Sequence, residues 1–267
     1  MHCYSLIIAR KNMLFSQLTA QQRKDIKALH RKQSRDENGE FLAEGVKVCT
    51  ELLDSPYLAD CVIIRHNAGD EAMVLADKFH ERGVAVFSAP HEHFNAMCDA
   101  QTPQDILAVV RYMPYSPTSG ISNNVIILDA VADPGNVGTI IRTADWFGFQ
   151  TIILGRGCAD RYNPKVIRST MGSLFHCNVF QVNDITEFAK LHLRDYALCG
   201  AMLSGTDTPS VLKNYARIAI VLGNESAGIS SSVQSILTHS YHIPGEGKAE
   251  SLNVAIAAAI SMYSCVS

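Results

Sequence analysis

The alternation of apolar and polar positions divides the chain into two blocks. In the first block, Thr19 to Arg31 reads as a polar helix. Phe41–Glu44 reads as a short strand, followed by a helix over Val46–Asp54. Cys61–Arg65 (CVIIR) has the continuous apolar character of a buried strand, and Asp70–Arg82 has helical spacing, with Asp70 placed as its N-cap. Val84–Ser88 predicts another strand, His91–Cys98 a short helix and Ile106–Val110 a last strand. These elements predict a small α/β sandwich of roughly a hundred residues.

The segment RYMPYSPTSGISNN, residues 111–124, has the Pro, Gly, Ser and Asn content of a linker. It separates an N-terminal domain over residues 1–112 from a C-terminal domain over 124–267, with 113–123 as the connection. After it come runs suited to parallel strands buried on both faces: Val125–Asp129, Thr151–Leu154, Asn178–Val182, Ala197–Met202 and Ile218–Leu222. Helices are predicted at Val137–Phe147, Pro164–Met171 and Ile185–Leu193. The last, Leu252–Ser264 (LNVAIAAAISMYS), is apolar nearly all round, so it must be covered on more than one side, inside the domain or in a subunit interface. The fold class expected is α/β with a parallel C-terminal sheet.

Composition narrows the setting. An apolar content of 47% with 18% charged residues fits a globular chain and not a disordered one. No apolar run approaches the roughly 18–20 residues that span a bilayer. The N-terminus, MHCYSLIIARKNML, puts its charges after a short apolar patch, which predicts a non-secreted, cytoplasmic chain. Met13 is an alternative start, with residues 1–12 as an extension. The cysteines are scattered without a C-x-x-C pair, as expected of buried free thiols. His91-Glu-His93 and His239-Ser-Tyr-His242 lack further ligands, so no metal is expected.

A net charge of −3 gives nucleic-acid binding no support by itself. Yet Arg10, Lys11, Arg23, Lys24, Lys27, Arg31, Lys32 and Arg35 face a single acid, Asp25, between positions 10 and 35. Charge alone leaves open a phosphate-contacting face or a solvated helix.

Three loops that follow strand-like runs carry the candidate chemistry. They are Asp133-Pro134-Gly135-Asn136-Val137-Gly138, then Gly223-Asn224-Glu225-Ser226-Ala227-Gly228, then Ile243-Pro244-Gly245-Glu246-Gly247 running on to Ser251-Leu252-Asn253. In an open α/β sheet, ligands bind outside the carboxyl ends of the strands, and glycines let backbone groups approach a ligand closely. Taken singly, each loop is also an ordinary turn, and Ser251 is a ready N-cap for the last helix. The polar set Asn136, Arg142, Glu225, Ser251 and Asn253 goes beyond what turn geometry asks for. Gly155-Arg-Gly157 begins like a dinucleotide fingerprint, but its third glycine is missing, so nicotinamide-cofactor binding is not expected.

DPGNVGTIIRTADWFGF, LGNESAGIS and IPGEGKAESLNVAIAAAI resemble, in order and spacing, the three motifs of the SPOUT superfamily, in particular the TrmH-like RNA ribose 2′-O-methyltransferases. NPKVIRSTMGSLFH is similar to that family's second strand–helix unit. HRKQSRDENGEFLAEGVKVCTELL is similar to the ribosomal-protein-like RNA-binding domain often fused in front, which implies a small α/β/α sandwich for the first domain. The resemblance implies a deep trefoil knot, against the usual absence of threaded chains. It implies a homodimer through the C-terminal domain and S-adenosyl-L-methionine bound in the knot by Leu222, Gly223, Ile243, Pro244, Leu252 and Asn253. It implies catalysis by Asn136, Arg142, Glu225, Ser251 and Asn253. Arg142 would stabilise the 2′-alkoxide or align a phosphate more easily than act as a base, and Asn136 would hold that arginine or the ribose. In the first domain, Lys24, Lys27, Arg31, Lys32 and Arg35 are the expected RNA contacts, and Glu44 serves a turn or a contact. The implied substrate is a structured RNA, rRNA before tRNA; the rival is a catalytically silent RNA-binding or ribosome-assembly protein.

Overall fold

The computed structural model describes residues 15–114 and 120–266. The predicted linker falls partly, and the N-terminal extension wholly, outside these residues. The chain forms two compact units, one of residues 1–114 together with Tyr162–Phe175, the other of residues 115–161 and 176–267.

In the first unit the elements run β1 (Ser16–Gln17), α1 (Ala20–Ala28), α2 (Lys32–Asn38), β2 (Glu40–Glu44), α3 (Val46–Leu53), β3 (Ala59–Arg65), α4 (Asp70–Glu81), β4 (Ala85–Ala89), α5 (His91–Met97) and β5 (Ile106–Arg111). The sheet order is β1-β4-β3-β5-β2, with β5 antiparallel to both β3 and β2. Helix α1 starts because Thr19 and Gln22 form a reciprocal capping box. The polar helix expected over Thr19–Arg31 ends at Ala28, and α2 follows as a separate helix closed by Gly39 in the left-handed region at φ 67°. Asp70 is not the N-cap of α4: Gly69 occupies that place, and Asp70 lies in the first turn.

The second unit contains β6 (Asn124–Asp129), α6 (Pro134–Trp146) and β7 (Thr151–Leu154), and α7 (Pro164–Thr170) follows in the chain. Then come β8 (Asn178–Gln181), α8 (Ile185–His192), β9 (Ala197–Ala201), β10 (Ile218–Gly223), α9 (Ser231–Gln234), β11 (His239–Tyr241) and α10 (Val254–Val266). Six parallel strands are ordered β11-β9-β10-β6-β7-β8. Val125, Ile127, Ile153, Ala219 and Val221 are buried between the layers, as continuous apolar strands require. The chain leaves β6 toward β7 and β8, then returns on the other side as β9 and β10, so β6 and β10 flank a topological switch point.

Helix α7 belongs to the first unit. Tyr162, 2% exposed, stacks between Phe41 and Tyr112 at centroid distances of 4.4 and 4.2 Å. Arg168 pairs with Asp99 at 2.7 Å.

Helix α10 begins two residues after the position that Ser251 would cap. Asn253 is the cap, its Oδ1 accepting from the amide of Ala255 at 2.9 Å. One face of α10, with Val254, Ala258 and Met262, is buried on α6, β10 and the Pro209–Asn214 turn. Ile256, Tyr263 and Val266 are exposed on the other. Ser261 stays in the core because the Tyr241 hydroxyl donates to it at 2.7 Å. The backbone of Gly205 lies so close to Tyr241 that a Cβ there would come within 2.2 Å of its carbonyl carbon. Met202 N donates to Tyr241 O, and His242 N to Asp207 O, across the same approach.

Candidate methyl-transfer site

The site lies at the carboxyl ends of β6 and β10, where Leu128 faces Leu222 and Asp129 faces Gly223 in register. A crevice at the carboxyl ends of parallel strands whose connections leave in opposite directions is where α/β sheets bind ligands. Asp129 is buried and accepts from Ser230 N at 2.7 Å, tying the end of β6 to the loop after β10. Asn224 ties it a second time. Its Nδ2 donates to Ala130 O at 2.9 Å, while its Oδ1 accepts from the amides of Ser226 and Ala227. The Asn224–Gly228 loop folds back so closely that a Cβ on Gly223 would lie 2.2 Å from the Gly228 carbonyl carbon. Glycine at 223 is therefore a steric requirement of the loop. Asp129, Asn224 and the helix-capping Asp133 were not among the expected site residues. Asx-type bonding to amides two and three residues ahead is the one signal that marked Asn224.

Helix α6 enters the crevice at its N-terminus. Asp133 accepts from Asn136 N at 2.8 Å and Pro134 fits the first helical turn, which fixes where the Asn136 side chain emerges. That side chain joins all three loops. Asn136 Nδ2 donates to Glu225 Oε1 at 2.8 Å, and Asn253 Nδ2 donates to Asn136 Oδ1 at 3.0 Å. Since Asn253 Oδ1 caps α10, one string of amides runs from that helix to Glu225.

The expected residues separate as follows. Asn136, Glu225 and Asn253 are brought together, whereas Arg142 is exposed two turns along α6 with no hydrogen-bond partner among the described residues. Asn136 therefore holds Glu225 and not the arginine. Ser251 is exposed and makes no hydrogen bond among the described residues. Leu222 is buried, Ile243 half-buried, and Pro244 and Leu252 exposed. Among the described residues, no backbone amide from Ile243 to Asn253 donates to another backbone group. These open backbone donors are free to meet the polar groups of a ligand such as S-adenosylmethionine.

Neighbouring titratable groups are occupied elsewhere. Burial pushes the Cys158 thiol up to about 11, and its Sγ donates to Leu128 O. His239 accepts or donates to Tyr215 at 2.6 Å, and His242 contacts Gly205 O at 2.9 Å.

In the first unit one expectation is corrected and one open alternative is decided. Arg35 is 2% exposed, its guanidinium donating to the carbonyls of Leu29 and His30, so it closes the α1–α2 turn and does not face RNA. Glu44 is buried and accepts from the amides of Asp99 and Ala100, a role in the fold. Lys24, Lys27, Arg31 and Lys32 are exposed. They do not form one helix face, because α1 ends at Ala28 and Lys32 pairs with Asp36 at 2.6 Å in α2.

Fold and site define an α/β domain with a candidate ligand crevice at the switch point of its parallel sheet, closed by loop backbone and amide side chains. The chain belongs to the SpoU rRNA methylase family, whose model matches residues 123–263, and residues 21–108 match an MRM3-like substrate binding domain. It is 35% identical over 240 residues to the 23S rRNA (guanosine(2553)-2′-O)-methyltransferase of Bacillus subtilis (strain 168), covering 90% of this chain and 94% of that one. An AdoMet-bound rRNA methyltransferase from Sinorhizobium meliloti superposes with a TM-score of 0.82 at 29% identity, over 94% of this chain and 95% of the other. The SpoU methyltransferase AviRb from Streptomyces viridochromogenes, in complex with AdoMet, gives 0.81 at 25% identity, over 93% and 97%.

Proposed function

We propose that this protein transfers the methyl group of S-adenosyl-L-methionine to a ribose 2′-hydroxyl of rRNA, with 23S rRNA and the guanosine named for the Bacillus subtilis relative as first target. The observation that carries the reading is the Asn136–Glu225–Asn253 string closing three loops over one crevice of a SpoU-family domain. Leu222, Gly223, Ile243, Pro244, Leu252 and Asn253 would hold the donor, which supplies an activated methyl when bound. Asn136, Glu225 and Asn253 then keep the loops closed and exclude water. Arg142, a cation without a hydrogen-bond partner among the described residues, would stabilise the alkoxide as the 2′-hydroxyl loses its proton, or align the adjacent phosphate. Ser251, free of capping duty, is available to the substrate.

The domain reading of 1–112 and 124–267 joined by 113–123 is supported by the family matches at 21–108 and 123–263, with Tyr162–Phe175 reaching out of the second domain into the first compact unit. Lys24, Lys27, Arg31 and Lys32 would steer RNA by charge. A homodimer through the C-terminal domain would cover Leu252, Ile256, Tyr263 and Val266. The close crossing of 202–207 with 240–242 is where the trefoil knot of the resembled family would tighten. A cytoplasmic location would suit a substrate of this kind.

The test is transfer of labelled methyl from S-adenosylmethionine to rRNA of cells lacking the protein, with the product located as an alkali-resistant linkage. No incorporation into any RNA while donor binding persists would overturn the proposal.

A further inference from the structure

The chain contains one tryptophan, and Trp146, on the last turn of α6, is 84% exposed. Its surroundings are polar. Arg142 lies one turn earlier on the same face, exposed and without a hydrogen-bond partner among the described residues, and exposed Thr139 continues the stripe. Asp145, the preceding residue, binds His176 Nδ1 at 3.0 Å. The next residue, Phe147, turns inward and meets Tyr263 edge-on at 6.3 Å. The helix thus packs one ring and leaves the larger one out.

An exposed indole one helical turn from an exposed guanidinium suits a nucleobase. Bases stack on aromatic faces whatever their identity, while a neighbouring cation meets the phosphate. Trp and Arg are also enriched in protein interfaces, so a second copy is the rival occupant. The cation one turn away, unpaired among the described residues, favours a phosphate-bearing strand, and dilution of the protein tells the two apart. The apolar stripe of α10 is the surface suited to a second copy. We propose that Trp146 stacks on a base of the RNA substrate. Arg142 and Trp146 stand about 6 Å apart along the helix axis, so guanidinium and indole can hold adjacent nucleotides of one strand. The inference rests on the reading of this domain as an RNA ribose methyltransferase and adds to it a contact that positions the strand.

As the sole tryptophan, Trp146 reports on itself through its fluorescence. The full-length protein is titrated with deproteinised 23S rRNA, with filter retention as an independent measure of binding. The expected result is solvent-exposed emission that does not change on dilution and is quenched as RNA binds. Trp146→Ala should raise KM for RNA about five- to a hundredfold, leaving kcat at saturating RNA and donor affinity at wild-type values. Trp146→Phe should fall in between. RNA retention with unchanged emission, a wild-type KM in Trp146→Ala, or blue-shifted emission that reddens on dilution would each overturn the stacking contact, the last because a second copy covers the ring. Quenching by 23S rRNA without methyl transfer would instead refute the methyltransferase reading and leave the contact standing.

Discussion

Replacing Asn136 by aspartate changes one atom type in the string that closes the site. The donation from Asn136 Nδ2 to Glu225, 2.8 Å long, becomes an approach of two carboxylate oxygens, while the bond from Asn253 at 3.0 Å keeps its acceptor. Losing a hydrogen bond to a charged group costs about 1.5 kcal/mol at the low end, appropriate to a half-buried amide. Two unit charges at that separation repel by about 1.5 kcal/mol at the dielectric of water, the limit suited to the exposed Glu225. Together these remove about 3 kcal/mol from the closed arrangement, so donor binding should weaken by at most about a hundredfold through loss of the competent population. Glu225→Gln alone should do little, since the Asn136 amide still finds an oxygen. The double variant Asn136→Asp/Glu225→Gln reverses the polarity of the bond and should recover most of the loss. Calorimetric titration of the four proteins with S-adenosylmethionine completes the cycle. If the double variant binds no better than Asn136→Asp, the string is not what Asn136 serves, and its amide contacts a ligand directly.

Other residues give independent tests. Arg142→Ala should lower the rate of transfer by about two to three orders of magnitude with unchanged donor affinity; equal loss of both would mean that Arg142 supports the fold. Tyr162→Ala removes a ring stacked on both sides and should cost the first unit about 3–5 kcal/mol, read as faster hydrogen exchange in β2 and α7, and unchanged exchange would contradict the packing. Asp184 caps α8, and its carboxyl is held below its usual value of 3.8 by the Thr186 hydroxyl, then by the amides of Glu187 and Thr186. A depressed folded-state pKa contributes stability above the unfolded value that is lost as pH falls through the folded one. Asp184→Ala should therefore melt lower at neutral pH and show a shallower fall below pH 3.8, and an unchanged acid limb would count against the cap.

What the sequence made legible is what neighbours along the chain decide. The parallel strands, helix α6 with Asp133 and Pro134 at its start, and the identity of the three loops all follow from spacings of a few residues. The amide string does not, because it joins positions 89 and 117 residues apart. Asn136, Glu225 and Asn253 could be chosen as polar residues in the right loops, but which of them touch is settled only by the register of β6 on β10. Arg35 misled for the opposite reason: in a run of polar residues nothing local distinguishes a guanidinium that closes a turn from one that faces solvent. Ser251 and Asn253 both have side chains able to cap a helix. The choice went to Asn253, which also reaches Asn136 with its second group, and serine has no second group to offer.

That division of labour explains why amides, and not an ion pair, hold the loops together. An amide donates and accepts at once, so Asn136 and Asn253 connect three segments without adding charge to the crevice. Glu225 has its charge met by Asn136, and Arg142 is left without an internal counter-ion among the described residues. Had a carboxylate been paired with Arg142, the guanidinium would meet the substrate already neutralised, and that pair would have to break before the cation could act on an alkoxide or a phosphate. Closure in which the Glu225 carboxylate is met by an amide, and a cation that no carboxylate neutralises among the described residues, are therefore two halves of one electrostatic arrangement. It predicts that a carboxylate introduced one helical turn from Arg142, as in Thr139→Glu, will slow methyl transfer while leaving donor affinity unchanged. Wild-type turnover in that variant would show that the field of Arg142 is not what the reaction uses.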